Sequence, residues 1–310
     1  MRLLADVDSP RAPIGRSLGL RGGLRAGWDR YVEAVEESRW LGEVSLDGQA
    51  AFPKGRSASL RLSLFRQSYP DSTHRDFRRE RADLSFRWPL SAAWRGGCQI
   101  DLHRQDYRQT PFHDETGWGL RLSASRALGT GWRGDVSFRL GSDAFGRKSL
   151  KLRHEGGETV YVLGPDQKDS IRSVGFTLQR RGPFIMSLGY ALSSRRSNSF
   201  GFSDRRHDVT FLVSMALPWD MDLQGLASMQ LTRYTDSGID SVFVLRAGED
   251  VEGRDTNNSL TLRLRRPLWS GPTLELRTAW YRNEALLVDR FYSKWIVGFA
   301  VRWGLGSRGA

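Results

Sequence analysis

The sequence predicts an all-β chain: a single up-and-down antiparallel transmembrane β-barrel of about fourteen strands, with short periplasmic turns and longer extracellular loops. Three observations carry that prediction. Apolar and polar residues alternate through fourteen separate stretches, the period of a strand with two unlike faces. The gaps between stretches alternate short and long, so one end of the array holds tight turns and the other holds loops. Each stretch runs to roughly 10–14 residues, close to the ~9–11 that a tilted strand needs to cross a bilayer and well above the ~5–6 of an ordinary strand.

The first stretch, near Ser17 to Tyr31, sets Leu18, Leu20, Leu24, Ala26 and Trp28 against Arg21, Arg25 and Asp29. The second sets Trp40, Val44, Leu46 and Ala50 against Glu43, Asp47 and Gln49. The third, Ser57 to Tyr69, places Leu60, Leu62 and Leu64 opposite Arg61 and Ser63. In the fourth, Ala82, Leu84, Phe86 and Trp88 oppose Arg81, Asp83, Ser85 and Arg87. The fifth carries Cys98, Ile100 and Leu102, the sixth Trp118, Leu120, Leu122 and Ala124 against Arg121. The seventh carries Trp132, Val136, Phe138 and Leu140 against Arg133, Asp135 and Arg139. Val174, Phe176 and Leu178 mark the eighth, Phe184 to Leu192 the ninth, Val209 to Leu217 the tenth and Met221 to Leu231 the eleventh. The twelfth opposes Leu260, Leu262 and Leu264 to Arg263 and Arg265, and the thirteenth opposes Leu274 and Leu276 to Glu275 and Arg277. The last opposes Phe291, Trp295, Val297, Phe299, Val301 and Trp303 to Lys294 and Arg302.

The short connections are rich in Gly and Pro, as tight turns require: Pro53-Lys54-Gly55, Pro89-Leu90-Ser91, Gly129-Thr130-Gly131, Arg181-Gly182-Pro183, Pro218-Trp219-Asp220, and Pro267 to Pro272. The longer, polar set includes Pro70 to Asp76, Arg108 to Asp114, Asp143 to Asp169, Arg195 to Asp204, and Thr235 to Asp255. Thr159 to Val162 and Val242 to Leu245 read as extra strands inside two of these loops. The barrel is therefore expected over residues 17–303, with an N-terminal extension at 1–16 and a tail at 304–310. The opening Met-Arg-Leu-Leu-Ala-Asp-Val-Asp-Ser-Pro lacks the roughly 7–15-residue apolar core of a secretory leader, so the chain reads as a fragment or as one with a misplaced start.

Aromatic residues support two membrane-interface girdles. Trp88, Trp94, Trp132, Phe184, Trp219, Trp269 and Trp303 sit beside short turns; Trp28, Tyr31, Trp40, Tyr69, Tyr107, Trp118, Tyr234 and Tyr281 sit towards the long loops.

Some of these pieces resemble a known group. Arg-Ser-Asn-Ser-Phe-Gly-Phe-Ser-Asp-Arg-Arg-His-Asp-Val (196–209), Leu-Pro-Trp-Asp-Met (217–221) and Arg-Asn-Glu-Ala-Leu-Leu-Val-Asp-Arg-Phe-Tyr-Ser-Lys-Trp (282–295) resemble the loop-to-strand pieces of proteobacterial barrels that follow tetratricopeptide repeats. The first strand, Leu20 to Tyr31, resembles their Gly-rich opening strand. Polysaccharide exporters and surface lipoprotein assembly modifiers belong to that group. The resemblance implies a bacterial outer-membrane pore that passes a polymer or helps a protein reach the surface. It also implies a periplasmic helical-repeat protein, here on a separate chain. No helical repeat precedes the barrel, and Trp303 is followed by Gly-Leu-Gly-Ser-Arg-Gly-Ala rather than ending the chain.

The chain carries a net charge of +12, from 47 Lys and Arg against 35 Asp and Glu, which points to an anionic partner. Arg21, Arg25, Arg61, Arg87, Arg121, Arg133, Arg139, Arg263, Arg265, Arg277, Lys294 and Arg302 all fall on polar faces and are expected to line the lumen, because each would cost about 2–4 kcal/mol at mid-depth on the lipid side. Inward acids are fewer: Asp29, Glu43, Asp47, Asp83, Asp101, Asp135, Asp222 and Glu275. Most individual arginines read as halves of cross-strand ion pairs; the remaining positive bias predicts anion selectivity. Arg-rich strings at 77–81 and 194–196 read as loop bases beside lipopolysaccharide. No catalytic residue, metal site or cofactor is expected: the five histidines are scattered, and no Gly-x-Ser-x-Gly elbow stands out. Three functions compete: a barrel exporting a polymer, foremost an anionic polysaccharide; a non-conducting structural or assembly barrel docking a partner or lipoprotein; and a soluble basic β-protein binding nucleic acid, which leaves the apolar bands unexplained.

Overall fold

The computed structural model describes residues 2–9, 12–14, 17–29, 38–155, 158–200, 202–235, 254–268, 272–284 and 292–302. These form β1 (Arg2–Asp8), β2 (Ala12–Ile14), β3 (Leu18–Asp29), β4 (Arg39–Phe52), β5 (Arg56–Ser68), β6 (Phe77–Pro89), β7 (Trp94–Tyr107), β8 (Glu115–Gly129), β9 (Trp132–Glu155), β10 (Glu158–Arg180), β11 (Phe184–Ser197), β12 (Asp204–Leu217), β13 (Met221–Tyr234), β14 (Arg254–Pro267), β15 (Thr273–Glu284) and β16 (Tyr292–Arg302). From β3 onward each strand pairs with the next in sequence, an uninterrupted up-and-down order. The fourteen stretches read from the sequence are β3 to β16. No helix among the described residues is long and apolar enough to cross a membrane.

Two compact units divide the chain. One comprises residues 1–124, 137–172 and 195–202, the other residues 125–136, 173–194 and 203–310. In the first, register places Leu46, Leu62 and Ala82 side by side on one face of β4, β5 and β6, and Asp47, Arg61 and Asp83 on the other. In the second, Leu226 pairs Thr261, Leu264 pairs Leu276, and Trp280 pairs Trp295. Period 2 in the sequence thus becomes two unlike faces in each unit.

Burial is inverted relative to a water-soluble protein. Among the described residues the buried apolar side chains are Tyr69 and Ala279, whereas thirteen polar or charged residues are buried, Asp101, Gln105, Gln167, Asp169 and Glu275 among them. Leu62, Leu122 and Phe299 stand 42%, 47% and 68% exposed. Each such side chain left in water forfeits about 1.5–3 kcal/mol of burial. A face made of dozens of them is stable only against another apolar phase. The backbone requirement agrees, since a β-structure in lipid must satisfy its N–H and C=O groups in ladders between strands.

Several expectations are corrected. Residues 1–16 are not merely an extension: β1 pairs with β3 from Arg2↔Asp29 to Asp8↔Gly23, and β2 pairs with β3 as well. The stretch Asp143 to Asp169 is not a loop. β9 and β10 run for 24 and 23 residues against 11–15 for β3–β8 and β11–β16, and Thr159 to Val162 lies inside β10. Apolar alternation fades there because both faces of this segment are polar; Lys148 Nζ donates to Asp166 at 2.7 Å on one face and Arg147 Nε to Gln167 at 2.6 Å on the other. That Lys148 hydrogen bond and charge hold the Asp166 carboxyl below its usual range. The Arg-rich strings lie in the loop-side ends of β6 and β11 rather than in loops. Val242 to Leu245 lies outside the described residues.

The short turns behave as their residues demand. Trp219 and Asp220 take left-handed φ of 62° and 56°. At Gly131, φ is +78°, and the Arg181 N–H donates to its carbonyl at 2.7 Å. A Cβ on Gly131 would lie 2.2 Å from the Arg181 carbonyl oxygen, so two neighbouring short turns dock only because this position has no side chain.

Candidate functional site

The polar face carries a charge lattice built one residue per strand. In the first unit, register sets Arg21 of β3 beside Asp47 of β4, Asp47 beside Arg61 of β5, Arg61 beside Asp83 of β6, and Asp83 beside Asp101 of β7. Arg61 Nε donates to Asp47 at 2.5 Å, Arg25 to Glu43 at 3.3 Å, and Arg81 pairs with Asp83 at 2.8 Å. Arg21 donates to Asp8 of β1, an acid that the sequence reading left in the N-terminal extension. Arg139 of β9 reaches Asp101 of β7 at 3.2 Å, across the intervening β8. It can do so because β8 carries Gly119 at that level; a Cβ there would lie 2.5 Å from Asp101 Oδ1.

In the second unit, Arg133 donates to Asp135 at 2.8 Å. Glu275, 4% exposed, accepts a hydrogen bond from Arg265 Nε at 3.1 Å and forms an ion pair with Arg263 at 3.2 Å. Arg263 also stands directly opposite Arg277 in register. These pairs give most of the expected arginines an acid partner. Arg87, Arg121, Arg277 and Lys294 are exposed on the polar face with no acid partner among the described residues. The Arg302 backbone pairs with Thr273, and its side chain lies outside the described residues.

One cluster was not legible from spacing in the sequence. His103 of β7, Glu115 of β8 and Asp143 of β9 converge on the polar face, with His103 Nε2 at 3.1 Å from Glu115 Oε1 and 3.4 Å from Asp143 Oδ1. At i±2 along its own strand His103 has only Asp101 and Gln105. Its partners come from the two strands that follow, so only register brings them together.

The expected interface tryptophans of the described strands fall on the apolar face. Trp28 and Trp40 face each other across β3 and β4, stacked at 5.3 Å with an interplanar angle of 12°. Trp118 is 47% exposed towards the same end. At the short-turn end lie Trp88, stacked on Phe86 at 5.4 Å, Trp94, Trp132 with Arg180 at 5.7 Å, and Trp219. Trp280 with Trp295, 6.4 Å apart, was missed as a girdle pair. The tyrosines are corrected: Tyr69 is buried, and Tyr107 packs at 5.5 Å against Phe77, itself 5.7 Å from Phe65, on the polar face. Tyr234 and Tyr281 also fall on polar-face registers, opposite Asp204 and Lys294. Trp269, Trp303 and Tyr31 lie outside the described residues.

Long antiparallel strands in sequential order, an outward apolar face bounded by indoles, and a buried polar face define a bacterial outer-membrane β-barrel. No family model matches the chain, and no curated protein matches it in sequence. Among solved structures the chain is similar to OmpTΔL8, a loop L8 deletion mutant of OmpT, an outer membrane protein of Vibrio cholerae: 6% identity over 97% of this chain and 96% of that one, TM-score 0.46. It is similar to CdiB from Acinetobacter baumannii, with 9% identity over 97% of this chain and 59% of that one, TM-score 0.49. It is also similar to the siderophore receptor PirA from Pseudomonas aeruginosa, with 13% identity over 91% of this chain and 53% of that one, TM-score 0.43. The chain thus spans little more than half the length of the latter two. The class assignment rests on strand order and inverted burial.

Proposed function

We propose that the chain is an export or transport barrel whose polar face favours an anionic solute, foremost an anionic polysaccharide, with lipopolysaccharide as its lipid-side partner and a periplasmic helical-repeat protein as a soluble one. The observation that carries the anionic part is the set of cations left over after pairing: among the described residues Arg87, Arg121, Arg277 and Lys294 have no ion-pair partner, and Arg277 faces Arg263, which shares Glu275 with Arg265. Like charges opposed across strands are unfavourable unless an anion lies between them. The polysaccharide and helical-repeat parts rest on the sequence resemblance alone. Support for lipopolysaccharide comes from the apolar-side register at the loop ends, where Arg66 opposes Arg78 in one unit and Arg205 opposes Arg233 in the other. All four are exposed; Arg78 is paired with Glu80, and lipid phosphates are the chemistry that would relieve the positive charge that remains.

Planar-bilayer recordings under a salt gradient test the reading. The expected reversal potential has the sign of anion selectivity, and substitution of Arg87 and Arg121 by Gln moves it towards zero. A cation-selective wild-type pore rejects the anionic reading. A second reading is favoured by the lattice itself: ion pairs linking β3 to β4, β4 to β5 and β7 to β9 brace the wall as a structural barrel would require. Absence of any conductance supports that reading.

A further inference from the structure

We propose that His103, Glu115 and Asp143 form a binding site for one divalent transition-metal cation of the zinc class, on the polar face near the loop-side ends of β7 and β8 and midway along β9. Each residue offers one ligand atom, and the three atoms all lie within 4.8 Å of one another. The same imidazole nitrogen faces both carboxylates, at 3.1 and 3.4 Å. Two donors each about 2.0–2.2 Å from a metal, subtending roughly 90–110°, stand about 3–3.5 Å apart. The two separations match edges of such a coordination sphere, and the shorter is also a hydrogen-bond length. A single Nε2–H serves Glu115 alone, with the charge of Arg195 acting on both carboxylates, whereas a cation between them would serve all three groups.

The space for this convergence is built into β8. Gly117 sits between the His103 and Asp143 side chains; a Cβ there would lie 2.2 Å from Asp143 Oδ1 and 2.5 Å from His103 Cε1. The donor set, one imidazole and two carboxylates, suits zinc or manganese; an all-oxygen set would suit calcium or magnesium. The ligands are 15–30% exposed, so water completes the coordination and the ion enters from the polar face. A bound cation would staple the loop-side ends of β7 and β8 to the middle of β9. The inference stands apart from the transport reading: a barrel that conducts nothing could hold the ion equally well.

Calorimetric titration of the refolded full chain in detergent micelles with zinc chloride, in chelator-free buffer, tests it. One zinc per chain is expected. His103→Gln and Asp143→Asn should each weaken binding on the order of tenfold or more; Gly117→Ala should weaken it too, and His74→Gln, away from the cluster, should leave it unchanged. Wild-type chain that takes up no zinc, or H103Q that binds as wild type does, overturns the site and leaves a hydrogen-bonded brace in its place. If H103Q fails to give the heat-modifiable folded band, cobalt(II) added to the wild type decides: visible absorption bands displaced by zinc support the site, and their absence overturns it.

Discussion

At the residue scale, glycine does as much as arginine to shape the polar face. Gly117 and Gly119, two positions apart on β8, open two windows through which side chains of β7 and β9 meet: His103 with Asp143, and Asp101 with Arg139. A Val at position 119 would press on the buried Asp101 carboxylate and is expected to cost about 1–3 kcal/mol, read as a lower unfolding midpoint in urea with detergent. Glu275→Ala should cost more, about 3–5 kcal/mol, because it strands both Arg263 and Arg265. Glu275→Asp, keeping the charge, separates loss of charge from loss of shape. The face of each strand arginine was legible in the sequence, since period 2 fixes the face of every residue. Their partners were not, because pairing depends on register, and Asp8 and the His103 cluster depend on strands that alternation did not link.

At the element scale, the loop-side ends repeat a device. The Tyr69 N–H donates to Asp76 Oδ1 at 2.6 Å, and the Tyr107 N–H donates to Asp114 Oδ1 at 2.7 Å, each over seven residues with a 3-10 turn between. Gln67 and Gln105 bond the same two tyrosine hydroxyls. The hairpins are chained, since the Arg108 N–H donates to the Asp76 carbonyl and the Gly146 N–H to the Asp114 carbonyl. Asp114→Ala removes a half-buried acceptor and should cost about 1 kcal/mol; limited proteolysis in the loop should then quicken while the barrel band persists. The sequence shows this motif as Gln-x-Tyr followed by Asp, but tyrosine near a strand end reads equally well as an interface residue. Turn chemistry was legible because Gly and Pro act locally. The reach of β9 and β10 was not, because a strand with two polar faces carries no periodic mark.

At the scale of the whole molecule, everything follows from which face meets lipid. Leu122 and Ser123 are neighbours on β8 with opposite assignments. Leu122→Arg is expected to destabilise the folded state by about 2–4 kcal/mol, while Ser123→Arg is nearly neutral; equal effects in detergent or bilayer unfolding would refute the assignment of faces. Fold class was readable from residues alone because the membrane imposes one rule on every strand. Cargo was not readable, because a polar interior tolerates many side-chain choices and no rule marks the ones that bind.

The overlong β9–β10 pair has a practical outcome. At about 3.3 Å per residue, strands of 24 and 23 residues use only part of their length on the bilayer. The remainder holds its own polar filling of Ser149, Gln167 and Asp169 and displays the amines of Lys148 and Lys168. On intact cells a membrane-impermeant amine reagent is expected to label Lys148 and Lys168 there.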